Sequence, residues 1–92
     1  MFASIREYQT KDNAEVGRRA QEGFVPIVRE ISGVSAYYLV DAGEKLYTIT
    51  VTDDESSAEE SVNKAREWVQ ENAADLIDGS PTITNGQIVA SA

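Results

Sequence analysis

Val34-Ser35-Ala36-Tyr37-Tyr38-Leu39-Val40-Asp41, then Ala42-Gly43-Glu44, then Lys45-Leu46-Tyr47-Thr48-Ile49-Thr50-Val51-Thr52: the reading of this stretch decides the fold. Two runs rich in β-branched and aromatic residues are joined by a short Gly-containing link, the pattern of a hairpin. In an extended chain alternate side chains share a face. The first run offers Val34, Ala36, Tyr38 and Val40 on one side and Ser35, Tyr37, Leu39 and Asp41 on the other. The second offers Tyr47, Ile49 and Val51 against Leu46, Thr48, Thr50 and Thr52. A sheet with one face in water alternates apolar-in and polar-out. Here large apolar groups stand on both sides, so both faces are expected to be at least partly covered.

Before the hairpin, Phe2 to Gln9 alternates weakly, with Ala3, Ile5 and Glu7 against Phe2, Ser4, Arg6 and Tyr8, and reads as a strand. Asp12 stands three residues before Glu15, a capping-box-like start with Asp12 as the N-cap. Val16, Ala20, Phe24, Ile27, Val28 and Ile31 then recur at helical spacing, with Arg18, Arg19, Glu22, Arg29 and Glu30 on the other faces. Pro26 has no N–H to donate to the Glu22 carbonyl, which predicts a kink or two segments meeting near Gly23. Gly33 suits a left-handed C-cap.

After the hairpin, Ser57 with Glu60, or Ser56 with Glu59, forms a second capping box. Ala58, Val62, Ala65, Trp68, Val69, Asn72, Leu76 and Ile77 follow at helical spacing. Asp78-Gly79-Ser80-Pro81 is expected to stop that helix. Thr82 to Ala90 is the last strand, with Asn85-Gly86 inside it as a bulge or tight turn.

The order is therefore β-α-β-β-α-β, the plan of a ferredoxin-like α+β domain. Residues 1–92 are read as one domain with an antiparallel sheet and both helices on one face, since both crossovers are right-handed. A domain of this size buries only about 60–65% of the surface its unfolded chain exposes. Together with the two-sided hairpin, this predicts a homodimer packed sheet to sheet, a two-fold dimer being the commonest soluble oligomer. A ligand platform on the open face is the competing explanation.

Composition removes several classes of chemistry. The chain has no cysteine and no histidine. That excludes thiolate nucleophiles, Ser-His and Cys-His pairs, and imidazole ligands for zinc or haem. No metal site and no cofactor are expected. Sixteen acids against eight bases leave a net charge of −8, the wrong sign for nucleic acid or an anionic membrane. The acidic stretch Asp53, Asp54, Glu55, Glu59 and Glu60 lacks the spacing and central glycine of a calcium loop and opens a helix, where acids suit the macrodipole. No apolar run approaches the roughly 20 residues of a membrane span. The start, MFASIREYQ, does not read as a signal peptide, so a cytoplasmic location is expected.

The stretch Ile31-Ser32-Gly33-Val34-Ser35-Ala36-Tyr37 resembles the helix-to-strand junction of antibiotic-biosynthesis-monooxygenase-like proteins, which usually show Pro-Gly-Phe where this chain has Ser-Gly-Val. Val51 to Glu60 is similar to their third strand running into an acidic, Ser/Ala-rich helix start. The resemblance spans nearly the whole chain by element order. It implies membership of the dimeric α/β-barrel group, homodimers whose members include cofactor-free monooxygenases of aromatic polyketides, haem-degrading enzymes and proteins without known activity. It further implies a ligand between sheet and helices. The haem-degrading branch uses a histidine and is not implied. A tryptophan that commonly ends the third strand is replaced here by Thr52 and Asp53, so no catalytic residue is carried over to Trp68.

The candidate pocket residues are Arg6, Tyr8, Phe24, Tyr37, Tyr47, Trp68 and Asn72. Arg6 and Tyr8 share a strand face, where a guanidinium would bind an anionic oxygen and a phenol would donate a hydrogen bond. The alternative is an interface ion pair for Arg6. Tyr37 and Tyr47 are ordinary strand residues that also suit an aromatic ligand. Tyr37 and Tyr38 are adjacent, so at most one of them faces a given pocket. Phe24 and Trp68 lie on apolar helix stripes, where core packing is the default. Asn72 on such a stripe must be satisfied locally or line a wet cavity. Two functions fit: a dimer that binds an apolar or aromatic small molecule and oxygenates it without a cofactor, or a non-catalytic structural, accessory or regulatory homodimer.

Overall fold

The computed structural model describes residues 1–92. In chain order the elements are β1 (Phe2–Thr10), α1 (Asn13–Gly23), α2 (Val25–Arg29), β2 (Val34–Asp41), β3 (Leu46–Thr52), α3 (Glu55–Asn72) and β4 (Ile77–Gln87). The four strands form one antiparallel sheet in the order β2-β3-β1-β4, the ferredoxin-like arrangement. No helix is long and apolar enough to cross a membrane.

Local chemistry sets most of the boundaries. Asp12 caps α1, accepting from the Glu15 backbone N–H at 3.1 Å. Pro26 separates α1 from α2, with Phe24 between them. Gly33 has φ +88°, and a Cβ there would stand 2.4 Å from Ser57 Oγ, so the turn into β2 excludes a side chain. The cap of α3 differs from the expected serine. Asp54 does that work, accepting from the Ser57 N–H at 2.8 Å, while Ser57 Oγ donates to the Ser32 carbonyl at 2.9 Å. An ionised carboxylate at a helix start gains from the macrodipole as well as the hydrogen bond.

The end of α3 and the start of β4 also differ from expectation. α3 stops at Asn72, and β4 begins at Ile77 instead of Thr82. Asp78-Gly79-Ser80-Pro81 therefore belongs to the last strand. Glu7 pairs with Thr82 and Gln9 with Asp78, so Gly79, Ser80 and Pro81 bulge out opposite Tyr8. Gly79 supplies the left-handed backbone, φ +70°, and Pro81 sits where no ladder donor is needed. Asn85-Gly86 is neither bulge nor turn, for it pairs regularly with Ser4 and Ala3.

The helices cover one face of the sheet. Phe24 is the centre of the core, edge-on to Tyr37 at 5.5 Å between centroids and tilted against Trp68 at 5.7 Å. Ala20, Val28, Ala65 and Ala73 close around it, and Tyr8, Val16 and Leu46 form a smaller neighbouring cluster. Burying a side chain such as Phe24 contributes about 1.5–3 kcal/mol. The opposite face has no cover within the chain.

Candidate functional site

The covered face of the sheet is polar at its middle. Ser4, Arg6, Thr48, Thr50 and Thr52 are all buried there. Arg6 is only 1% exposed. Its position follows from strand alternation, which places Ser4, Arg6 and Tyr8 on the side beneath the helices. The guanidinium donates through Nε to Thr48 Oγ1 at 2.7 Å, through Nη2 to Thr50 Oγ1 at 3.2 Å, and through Nη1 to the Ser61 carbonyl of α3 at 3.3 Å. All three acceptors are neutral. Thr52 is satisfied separately, donating to the Asp54 carbonyl at 2.7 Å. Ser4 Oγ is buried without a partner.

Two spaces meet at this arginine. The first is a cavity of about 20 Å³ inside the core, walled by Arg6, Tyr8, Phe24, Tyr37 and Trp68 among others. It has room for about one water molecule. The second is a cleft of about 280 Å³ between α3, β1 and β4, lined by Arg6, Tyr8, Arg66, Gln70, Ser80 and Ile83 together with Val62, Val69, Gly79 and Pro81. That approaches the lower end of small-molecule sites, roughly 300 Å³. Arg6, Tyr8 and Val69 line both spaces, so they form the wall between them. The bulge of β4 opposite Tyr8 makes one side of the cleft.

The two tyrosines here are held in the neutral form. Burial pushes the Tyr8 phenol up, with the positive charges of Arg6 and Arg66 pulling the other way. Burial pushes Tyr37 up to about 12, again opposed by Arg6 and reinforced by Tyr8. A neutral phenol beside a cation is a hydrogen-bond donor for an anionic oxygen.

Five of the seven candidate residues thus line one cavity: Arg6, Tyr8, Phe24, Tyr37 and Trp68. Phe24 and Trp68 are also core packing, as apolar helix stripes dictate. Tyr47 is not among them. It lies on the uncovered face, where its hydroxyl donates to Glu7 Oε1 at 2.9 Å, beside the Lys45–Glu7 ion pair at 3.3 Å. Asn72 is also outside. It ends α3 in an exposed position, and its amide donates to the Trp68 carbonyl one turn earlier at 3.0 Å. The stripe that suggested its burial ends there because the helix does. Arg6 forms no interface ion pair, since it faces the helices. Arg66, Gln70, Ser80 and Ile83 were not singled out by sequence. Val62, Arg66 and Val69 follow at i, i+4 and i+7, a stripe beside the core stripe that marks Arg66 as facing the cleft. The bulge that brings Ser80 there has no such signal.

Strand order and site together define the class: a ferredoxin-like α+β domain with a cleft of about 280 Å³ beside one helix. No known family profile matches the chain, and no curated protein matches it in sequence. Solved structures do. The NE2512 protein of unknown function from Nitrosomonas europaea superposes with a TM-score of 0.82 at 20% identity, covering 99% of this chain and 91% of that one. An antibiotic biosynthesis monooxygenase matches at 0.73 and 18% identity, over 98% of this chain and all (100%) of that one. The monooxygenase ActVA-Orf6 of Streptomyces coelicolor, solved with nanaomycin D, matches at 0.74 and 14% identity, over 98% and 92%. At these identities the likenesses establish a shared fold. It is the fold that the Ile31–Tyr37 and Val51–Glu60 resemblance implies.

Proposed function

We propose that this chain is a homodimeric small-molecule-binding protein that takes an apolar or aromatic ligand in the cleft between α3, β1 and β4 and oxygenates it without a cofactor. The observation that carries the reading is the junction at Arg6 and Tyr8, where polar donors meet a lining of valine, isoleucine and proline. Preorganised donors in a water-poor site stabilise a developing anion far better than water does. In this reading the electrons come from the ligand itself. A ligand CH₂ flanked by electron-withdrawing or aromatic groups loses a proton, and the carbanion reduces dioxygen. One oxygen atom enters as a carbonyl and the other leaves as water with the two hydrogens, so no outside reductant is needed. Fold neighbours named as monooxygenases support this reading.

The dimer is supported by the uncovered face. Ile5 (39% exposed), Tyr38 (58%) and Val40 (43%) lie on it with Ala3, Ala36, Ile49 and Val51. An apolar face of this kind is characteristic of an interaction surface.

Native mass spectrometry of protein purified from its source cells tests the binding role, and oxygen uptake tests the chemistry. The expected results are a retained small molecule and stoichiometric oxygen uptake with aromatic carbon acids in metal-free buffer. Bare protein and no uptake across such a panel would overturn the proposal.

A further inference from the structure

We infer that the cleft selects its ligand by a negatively charged oxygen, a carboxylate or phenolate on an apolar body, held between Arg6 and Arg66. The inference rests on the proposed binding role of that cleft and narrows its ligand class. Its basis is a mismatch of charges. Buried charges in proteins are normally paired. Arg18 pairs with Glu15 and Glu22, and Arg19 with Glu15 and Asp75, both at the surface of α1. The buried one, Arg6, has only neutral acceptors.

The cleft repeats this pattern. Sixteen acids are present in the sequence, yet none lines the cleft, where Arg6 and Arg66 both do. A guanidinium carries five N–H donors. Three of those on Arg6 are engaged, leaving two without an acceptor in the chain. Tyr8 lies within the field of both arginines and adds a neutral donor. Val62, Val69 and Ile83 offer the ligand body an apolar wall. Desolvating a cation in advance makes an incoming oxyanion contact stronger than it would be at the surface.

The test is calorimetric titration of the full chain with 1-naphthoate and with its neutral counterpart, 1-naphthalenemethanol. Naphthoate is expected to bind about tenfold or more tightly than the alcohol, the scale of one charge-assisted hydrogen bond. Arg66→Gln, an exposed position that leaves the core intact, is expected to weaken naphthoate by about threefold and leave the alcohol unchanged. Arg6→Lys, which keeps the charge but not the fork, is expected to weaken naphthoate further, with circular dichroism confirming the fold. Equal affinity of the two probes for the wild type would overturn the inference and leave the cleft an apolar site. A preference for naphthoate that survives both substitutions would overturn the assignment to these arginines. Failure of both probes to bind would overturn the inference together with the reading of the cleft as a binding site.

Discussion

The two faces of the sheet carry the opposite of the usual assignment. Beneath the helices lie Ser4, Arg6, Thr48, Thr50 and Thr52, while the uncovered side shows Ile5, Tyr38, Val40, Ile49 and Val51. On the covered face these polar groups are tolerable because all but Ser4 Oγ take part in hydrogen bonds. Arg6 engages two threonines and a helix carbonyl, and Thr52 finds the Asp54 carbonyl. Burial without such partners costs about 1–3 kcal/mol per group. The other face holds Tyr47 and Lys45 against Glu7 at one end, and its middle is apolar surface whose removal from water contributes about 25 cal/mol per Å². One face closes over polar groups within the chain, and the other leaves its apolar middle uncovered.

The sharpest way to break that comparison is Ile49→Lys. Ile49 sits mid-face, paired with Ile5 on β1 and Tyr38 on β2. In sedimentation at micromolar concentration the wild type is expected to run as two chains and the variant as one. A wild-type monomer would leave the uncovered face without its proposed role.

Next in size is a pair of isosteric changes made in that Ile49→Lys background. Thr48→Val removes the 2.7 Å acceptor of Arg6 and is expected to cost about 1.5–3 kcal/mol in urea denaturation. Thr84→Val, exposed opposite Ile5, is expected to change stability by less than about 0.5 kcal/mol. Equal costs would show that the covered face gains nothing special from its threonines.

The smallest effect is a pH dependence. A phenol titrates near 10 in an unfolded chain, whereas burial moves Tyr37 up to about 12 in the folded one. Between those values the folded state holds the extra proton. Stability from this group is therefore complete below about pH 10 and falls as pH rises toward about 12. Phenolate absorbance is expected to show a late step that Tyr37→Phe abolishes. A Tyr37 that titrated with the exposed tyrosines would place it outside the buried core.

Much of this was legible in residues. Asp12 before Glu15 and the glycine at Gly33 each pointed to one local conformation, Pro26 after Gly23 to a kink or a break, and the structure has the cap, the left-handed glycine and the break. The tail of α3 was not legible. Leu76 and Ile77 continue the helical period of Trp68 and Val69, yet the chain leaves the helix after Asn72 and brings Ile77 to the same core as the first residue of β4. Apolar spacing reports which residues reach the core and not by which backbone path. For the same reason Asn72 read as a pocket residue and Gly79-Ser80-Pro81 as a stop. In the site, Arg6 and Tyr8 were legible as a pair on one face, whereas Arg66 and the bulge reach them only through packing.

By itself the sequence determined the β-α-β-β-α-β order, the hairpin and most of the division of the strands into two sets of side chains, because these follow from backbone periodicity and local capping; the register shift between Val34 and Ala36, which pairs Val34 with Thr52 on the covered face, was not legible. Only the tertiary structure decided which set lies beneath the helices. Alternation is symmetric, and propensity does not separate threonine from isoleucine in a strand. The choice rests on α3, whose Ser61 carbonyl, Ala65 and Trp68 complete the surroundings of Arg6 and close the core over it.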